Sequence, residues 1–213
     1  MIHDESEAKV WVAQLPQADD LALERLDRLA ALLAEENQRQ NLVSAASLSE
    51  VWRRHIADSA QLLTMGAGQG PWLDLGTGAG FPGLAIACLL PDTEVIMVES
   101  RARRIDWLSR AAESLGLKQA RVLGSRLELV ADCKVSTISA RAFAPLEKLL
   151  ELSARFSTPD TVWLLPKGRS ARQELDALSG WQHVFHVEHS LTDPEAGIIV
   201  GQLTGRTGKG RKA

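Results

Sequence analysis

The sequence predicts an α/β fold: a seven-stranded, mostly parallel sheet that closes on an antiparallel hairpin, preceded by a helical N-terminal cap. Three observations carry this. From residue 72 onward, short apolar runs alternate with helical stretches. The glycine turn Gly76-Thr-Gly78-Ala-Gly80-Phe-Pro-Gly83 directly follows the apolar run Trp72-Leu73-Asp74-Leu75, as expected where a buried strand feeds a helix start. Finally, only residues 190–197 separate the last two strand-like runs, too few for a parallel crossover.

The elements follow in chain order. Leu21 to about Asn37 reads as a helix, with Leu26, Leu29, Ala30 and Leu33 on one stripe and Asp19 or Asp20 available to cap it. A second helix is announced by Ser47-x-x-Glu50, which has capping-box spacing, followed by Val51, Trp52, Ile56, Ala60 and Leu63 at helical intervals. Asn41, just before it, is expected to cap a turn or to face substrate. The glycine-rich connector Gly66-Ala-Gly68-Gln-Gly70 then marks a boundary. This gives a cap over 1–66, an α/β domain over 67–205 and a basic, glycine-rich tail over 206–213, expected to be flexible in isolation. Strands are predicted at Trp72 to Leu75, Glu94 to Glu99, Ala120 to Leu123, Val135 to Ala140, Thr161 to Leu165, His183 to His189 and Ile198 to Leu203, with helices between the first five.

Composition narrows the class. The chain has 213 residues, enough for a substantial core. It has no run of eighteen apolar residues and an acidic start, Met1-Ile2-His3-Asp4-Glu5, so neither a membrane span nor a signal peptide is expected. A cytoplasmic, monomeric protein follows as the expectation. Two separated cysteines, Cys88 and Cys133, match no zinc spacing, and no metal is expected. The net charge of −3 hides an asymmetry, because residues 1–37 hold nine Asp/Glu against three Lys/Arg. The rest is net basic, with bunches at Arg53-Arg54, at Arg101 with Arg103-Arg104, at Lys167 with Arg169 and Arg172, and in the tail. Each bunch alone is an ordinary solvated face; beside a nucleotide-type turn, together they suit phosphates.

The glycine turn admits two ligands. Gly78-Ala-Gly80-Phe-Pro-Gly83 fits the dinucleotide pattern G-x-G-x-x-G, and Glu99 at the end of the next strand suits ribose hydroxyls for either cofactor. Asp74, two residues before the first glycine, is the form seen in Rossmann-like S-adenosylmethionine-dependent methyltransferases. The chain also ends before a second βαβ half. An NAD-dependent oxidoreductase remains the alternative, and a non-catalytic RNA-binding module a third. His55, Asp58 and Ser59 share a helix face at i, i+3 and i+4, but a hydrogen-bonding unit that builds the site fits them better than a catalytic triad.

Several separated motifs lie in order: Asn41-Leu42-Val43, His55-Ile56-Ala57-Asp58-Ser59, Asp74 to Gly83, Val98-Glu99-Ser100 with Arg103-Arg104, Ser125-Arg126-Leu127-Glu128, Ser139 with Arg141-Ala142-Phe143-Ala144, and Lys167-Gly168. With them the chain resembles the small-subunit ribosomal RNA methyltransferase G family, also called glucose-inhibited division protein B. The resemblance implies methyl transfer from S-adenosylmethionine to N7 of a guanine (guanine 527, in the 530 loop) of 16S rRNA, within the small subunit or its assembly intermediate. It further implies that Gly76, Gly78 and Phe81 line the methionine part of the cofactor, that Glu99 holds the ribose and Ser100 lies beside the adenosine. Leu127 and Glu128 would meet the adenine, and Arg141 would lie next to the cofactor. Arg141, Lys167, His55 and Asp58 are the residues expected to position substrate. Guanine N7 carries a free lone pair at neutral pH, so in-line displacement needs no general base.

Overall fold

The computed structural model describes residues 1–207; most of the predicted basic tail, 208–213, lies outside the described residues. The cap consists of α1 (Glu5–Ala13), α2 (Asp20–Glu36), the single turn α3 (Ala45–Leu48) and a helical rod, α4, built from a π turn over Trp52–Ala57, an α segment over Asp58–Ala60 and a 3-10 end over Gln61–Thr64. Asp19 caps α2 as its sequence predicts, accepting from the Ala22 N–H at 2.7 Å. The Ser47-to-Glu50 box does not form. Ser44 caps α3 instead, accepting from Ser47 N–H at 3.1 Å, and the start of α4 is satisfied from a distance: the Glu5 carboxylate accepts the N–H groups of Trp52 at 3.0 Å and Arg53 at 2.8 Å. An anion at a helix start is favourable wherever in the chain it originates. Asn41 is exposed, and it is Asn37 that closes this turn, accepting from Leu42 and Val43 N–H at 2.9 and 3.0 Å.

Eight strands follow, one more than the sequence reading gives: β1 (Trp72–Leu75), β2 (Val95–Glu99), β3 (Ala120–Gly124), β4 (Thr137–Ser139), β5 (Val162–Gly168), β6 (Trp181–His183), β7 (His186–His189) and β8 (Gly197–Arg206). The extra strand arises because the predicted run 183–189 breaks at Val184-Phe185. There Phe185 turns into the core, 8% exposed, while Val184 faces out, and both halves pair with β8. Sheet order is β3-β2-β1-β4-β5-β8-β6, with β7 beside β6 on the same edge of β8. Strands β1 to β5 are parallel and β8 is antiparallel to its neighbours. The hairpin β7–β8 therefore sits at the expected end, with its last strand placed inside. β8 also runs three residues past its predicted limit, so Arg206 belongs to the sheet and lies over the Trp181 ring at 4.4 Å.

Helices α5 (Gly83–Leu89), α6 (Ala102–Ser114), α7 (Leu146–Ser153) and α8 (Ala171–Asp176) follow β1, β2, β4 and β5. A helix was also expected between β3 and β4; only the 3-10 turn Leu127–Leu129 is there. One apolar cluster joins Leu26, Leu29, Leu33, Trp52 and Ile56 of the cap to Phe81, Leu84 and Trp107, so the cap shares its core with one face of the sheet. Polar contacts add to it: Arg110 meets the buried Glu36 at 3.0 Å, and Gln40 donates to the Arg103 carbonyl at 3.1 Å. The opposite face is filled by Leu73, Leu75, Ile138, Leu149, Phe156 and Trp163.

Candidate active site

From β1 the chain runs outward in two directions, β2 and β3 on one side and β4 and β5 on the other, which makes the carboxyl ends of β1 and β4 a topological switch point where such sheets bind ligands. Gly76, Gly78 and Gly80 all adopt positive φ there, which glycine does without steric cost. At Gly76, φ +65, a Cβ would also come within 2.4 Å of the Phe143 ring. Gly83 is constrained by approach: a Cβ there would lie 2.9 Å from Asp74 Oδ2 and 2.6 Å from the Met97 side chain.

Asp74 is completely buried. Its Oδ2 accepts from Gly83 N–H at 3.0 Å and its Oδ1 from Ser139 Oγ–H at 2.8 Å, while Ser139 accepts from Trp72 Nε1–H at 2.8 Å. Burial raises its pKa, opposed by these hydrogen bonds. Asp74 thus ties the start of α5 to β1 and β4 and shapes the turn from behind. Trp107 Nε1–H holds the same turn at the Ala79 carbonyl, 3.0 Å.

A cavity of about 350 Å³ opens in front, lined by Gly76, Glu99, Ser100, Arg104, Leu127, Glu128 and Phe143 among others. Glu99 Oε1 accepts from the N–H groups of Ser100 at 2.7 Å and Arg101 at 2.9 Å; Oε2 lies 3.6 Å from Arg104. The carboxylate is thereby oriented with one oxygen left for a hydroxyl donor. Arg155 braces the far wall, donating to the carbonyls of Leu127 at 2.6 Å and Val130 at 2.7 Å. This cavity gathers five of the eight residues expected at the cofactor: Gly76, Glu99, Ser100, Leu127 and Glu128. Gly78 lies in the adjoining turn. Phe81 is 2% exposed and stacks on His55, with a 5.0 Å centroid separation.

Arg141 lies on the other side, along a second cavity of about 710 Å³ bordered by Arg53, Arg54, Asp58, Lys167 and Thr192. Its guanidinium donates to Asp58 Oδ2 and to the Arg54 carbonyl, both at 3.2 Å, reaches His55 Nδ1 at 3.1 Å and lies over Phe81 at 5.6 Å. A guanidinium only donates, so His55 Nδ1 accepts and the proton of the neutral ring is on Nε2. Burial, with the cations of Arg141 and Arg54, pushes the His55 pKa down to about 3. Asp58 Oδ1 is also engaged, by Gln61 and Thr192, each at 2.9 Å. Ser59 bonds back to the His55 carbonyl at 2.6 Å, so these three residues form no nucleophilic relay. Lys167, its side chain 7% exposed, meets Glu174 at 2.9 Å and the Ala144 carbonyl at 2.5 Å. It supports the Arg141–Ala144 segment from beneath.

Thr192, Trp107 and the Arg155 contacts to Leu127 and Val130 escape sequence reasoning, since those partners lie 25 or more residues away; Gln61 sits one turn from Asp58 but also accepts from Leu191, 130 residues on, and no local pattern marks them.

The switch-point cavity, the positive-φ glycines and the oriented Glu99 define the class: a Rossmann-like fold with a seat for a ribose-bearing cofactor at its switch point. A family model described as GidB, rRNA small subunit methyltransferase G, matches residues 22–192. The chain belongs to this family, which sets aside the dinucleotide reading. Among its relatives is "Ribosomal RNA small subunit methyltransferase G" of Novosphingobium aromaticivorans, 56% identical over 93% of this chain and 88% of that protein. That of Erythrobacter litoralis is 54% identical over 97% and 100%. Among solved structures, an O-methyltransferase from Bacillus cereus in complex with SAH shares the fold, with a TM-score of 0.58, 14% identity, and 91% and 96% of the two chains covered.

Proposed function

We propose that this protein transfers a methyl group from S-adenosylmethionine to N7 of a guanine in 16S rRNA, acting as a cytoplasmic monomer on the small ribosomal subunit or its assembly intermediate. The observation that carries the reading is the pair of cavities that share Ala142 and Phe143 as a common wall, one holding the Glu99 carboxylate and the other rimmed by Arg53, Arg54 and Arg141. The names borne by its relatives support an rRNA substrate.

S-adenosylmethionine, when bound, supplies an electrophilic sulfonium methyl group. Glu99 would hold the ribose hydroxyls through its free oxygen, Ser100, Leu127 and Glu128 the adenosine, and Gly76, Gly78 and Phe81 the methionine end. On the substrate side the chain is arranged to leave N7 alone. His55 stays neutral, and its Nδ1 lone pair is taken by Arg141, so it has nothing with which to accept a proton. Arg141 is neutralised by Asp58, which limits repulsion of the positive charge that develops on the guanine ring. Positioning is then the main source of catalysis, worth up to about 7–11 kcal/mol when the reacting atoms are held roughly 3 Å apart.

The test is to incubate small subunits lacking the modification with the protein and labelled methyl donor, then map the labelled nucleotide and atom. Label at guanine N7 of 16S rRNA is expected. Label on another base or atom overturns the reading.

A further inference from the structure

Of the two residues that stand between the cavities, Ala142 and Phe143, the aromatic one has no chemical role so far. Phe143 is half-buried, lines both of them and packs against Gly76 at the floor of the turn. Its loop is held at both ends. Arg141 is fixed by His55, Asp58 and the Arg54 carbonyl. Lys167 holds the Ala144 carbonyl, and Glu174 accepts the Leu146 N–H at 2.7 Å. Between these anchors Ala142 adopts φ +52, the only non-glycine positive φ among the described residues. Strain of this kind persists only where surrounding contacts impose it, and it collects at functional sites. Five contacts and one strained residue therefore fix an aromatic ring that has no polar group of its own, at the boundary between donor and acceptor.

The acceptor-side cavity supplies the rest of a nucleotide seat. It has cations of Arg53 and Arg54 at its rim, suited to phosphate, and an aromatic wall suited to the π-face of a base. A base stacked inside a duplex could not present its ring to that wall, so the nucleotide must leave its neighbours.

We infer that Phe143 is the stacking platform for the target base, which enters the Arg53/Arg54 cavity extruded from the RNA and is held there edge-on to the methyl donor. This rests on the guanine reading above. Phe143 would touch substrate and set the base plane, whereas Arg141 and Lys167 are positioning residues that act by holding its loop.

Three proteins test this: wild type, Phe143→Tyr and Phe143→Leu. The leucine keeps the wall apolar and of similar size but has no π-face. The readouts are single-turnover kcat/KM on small subunits lacking the modification, S-adenosylhomocysteine affinity by calorimetry, and thermal unfolding. The tyrosine variant should stay within about threefold of wild type. The leucine variant should lose roughly 5- to 150-fold in kcat/KM while its S-adenosylhomocysteine affinity and unfolding temperature stay at wild-type values. A leucine variant as active as wild type overturns the inference, and so does one whose loss is matched by lost cofactor affinity, since Phe143 is then only a cofactor wall. A wild-type protein that leaves guanine unmodified removes the guanine reading, and this inference with it.

Discussion

Substituting Gly76 by alanine probes the contact on which the divided cavity depends. Two separable penalties arise. Alanine at φ +65 costs about 1–2 kcal/mol for the left-handed backbone. Its methyl group would also stand 2.4 Å from the Phe143 ring, an overpacking worth about 1–3 kcal/mol. Gly76→Ala should therefore destabilise by about 2–5 kcal/mol. Phe143→Ala deletes a half-buried ring, about half the usual 3–5 kcal/mol of a fully buried one. In the double variant the collision disappears and the backbone penalty remains. The two effects should fall short of additivity by about 1–3 kcal/mol, the overpacking share. Urea unfolding of the four proteins measures the cycle. Additivity within about 0.5 kcal/mol, the range expected of independent sites, would refute the account of Gly76.

Glu99→Ala should weaken S-adenosylhomocysteine binding by about 10- to 150-fold, from loss of charge-assisted hydrogen bonds of about 1.5–3 kcal/mol, as read by calorimetry. Asp74→Asn puts an amide donor against either the Gly83 N–H or the Ser139 hydroxyl, and should lower unfolding stability by about 1–3 kcal/mol. His55 has a folded pKa of about 3, below its ordinary value. The unfolded chain therefore binds a proton first, and the stabilising contribution of the neutral ring is complete above about pH 6.5 and declines as pH falls toward 3. Urea midpoints at pH 7, 6 and 5 should show this decline, and His55→Gln should flatten it. Methyl transfer between pH 7 and 9 should carry no His55 titration; an inflection there that His55→Gln removes would count against the no-base mechanism. Removing 208–213, with Lys209, Arg211 and Lys212, should lower the salt slope of RNA binding by about 2 to 3 and leave cofactor affinity unchanged.

Much of this fold was readable because its signals are local. The β1 run, the glycine turn and Glu99 at the end of β2 each declare themselves within a few residues, since one strand, one turn and one strand end set them. The start of α4 departs from its local signal for the same reason. Ser47 and Glu50 have capping spacing, yet the acid that satisfies α4 is Glu5, and no local pattern reveals a partner 47 residues away. The break in the run 183–189 is likewise decided by the long β8, which leaves Phe185 to the core. In the site, the sequence marked Asp58 and Arg141 but not that they pair, nor that Thr192 and Gln61 complete the carboxylate's partners. Lys167, expected to position substrate, borders the larger cavity, and its pairing with Glu174 and the Ala144 carbonyl is likewise invisible in the sequence.

The segment before α1 meets the connection between β7 and β8. Ile2 donates its N–H to the Leu191 carbonyl at 2.7 Å, Leu191 in turn donates to Gln61 at 2.8 Å, and Thr192 reaches Asp58, the partner of Arg141. During synthesis Ile2 and Asp58 precede Leu191 and Thr192, so this knot can be tied only once the later pair is made. The Rossmann-like sheet can begin to gather earlier, but the cavity beside Arg53 and Arg54 acquires its border only when the segment from Thr192 to Ile198 arrives. A nascent chain that has already formed its glycine turn is thus still without the second of its two cavities.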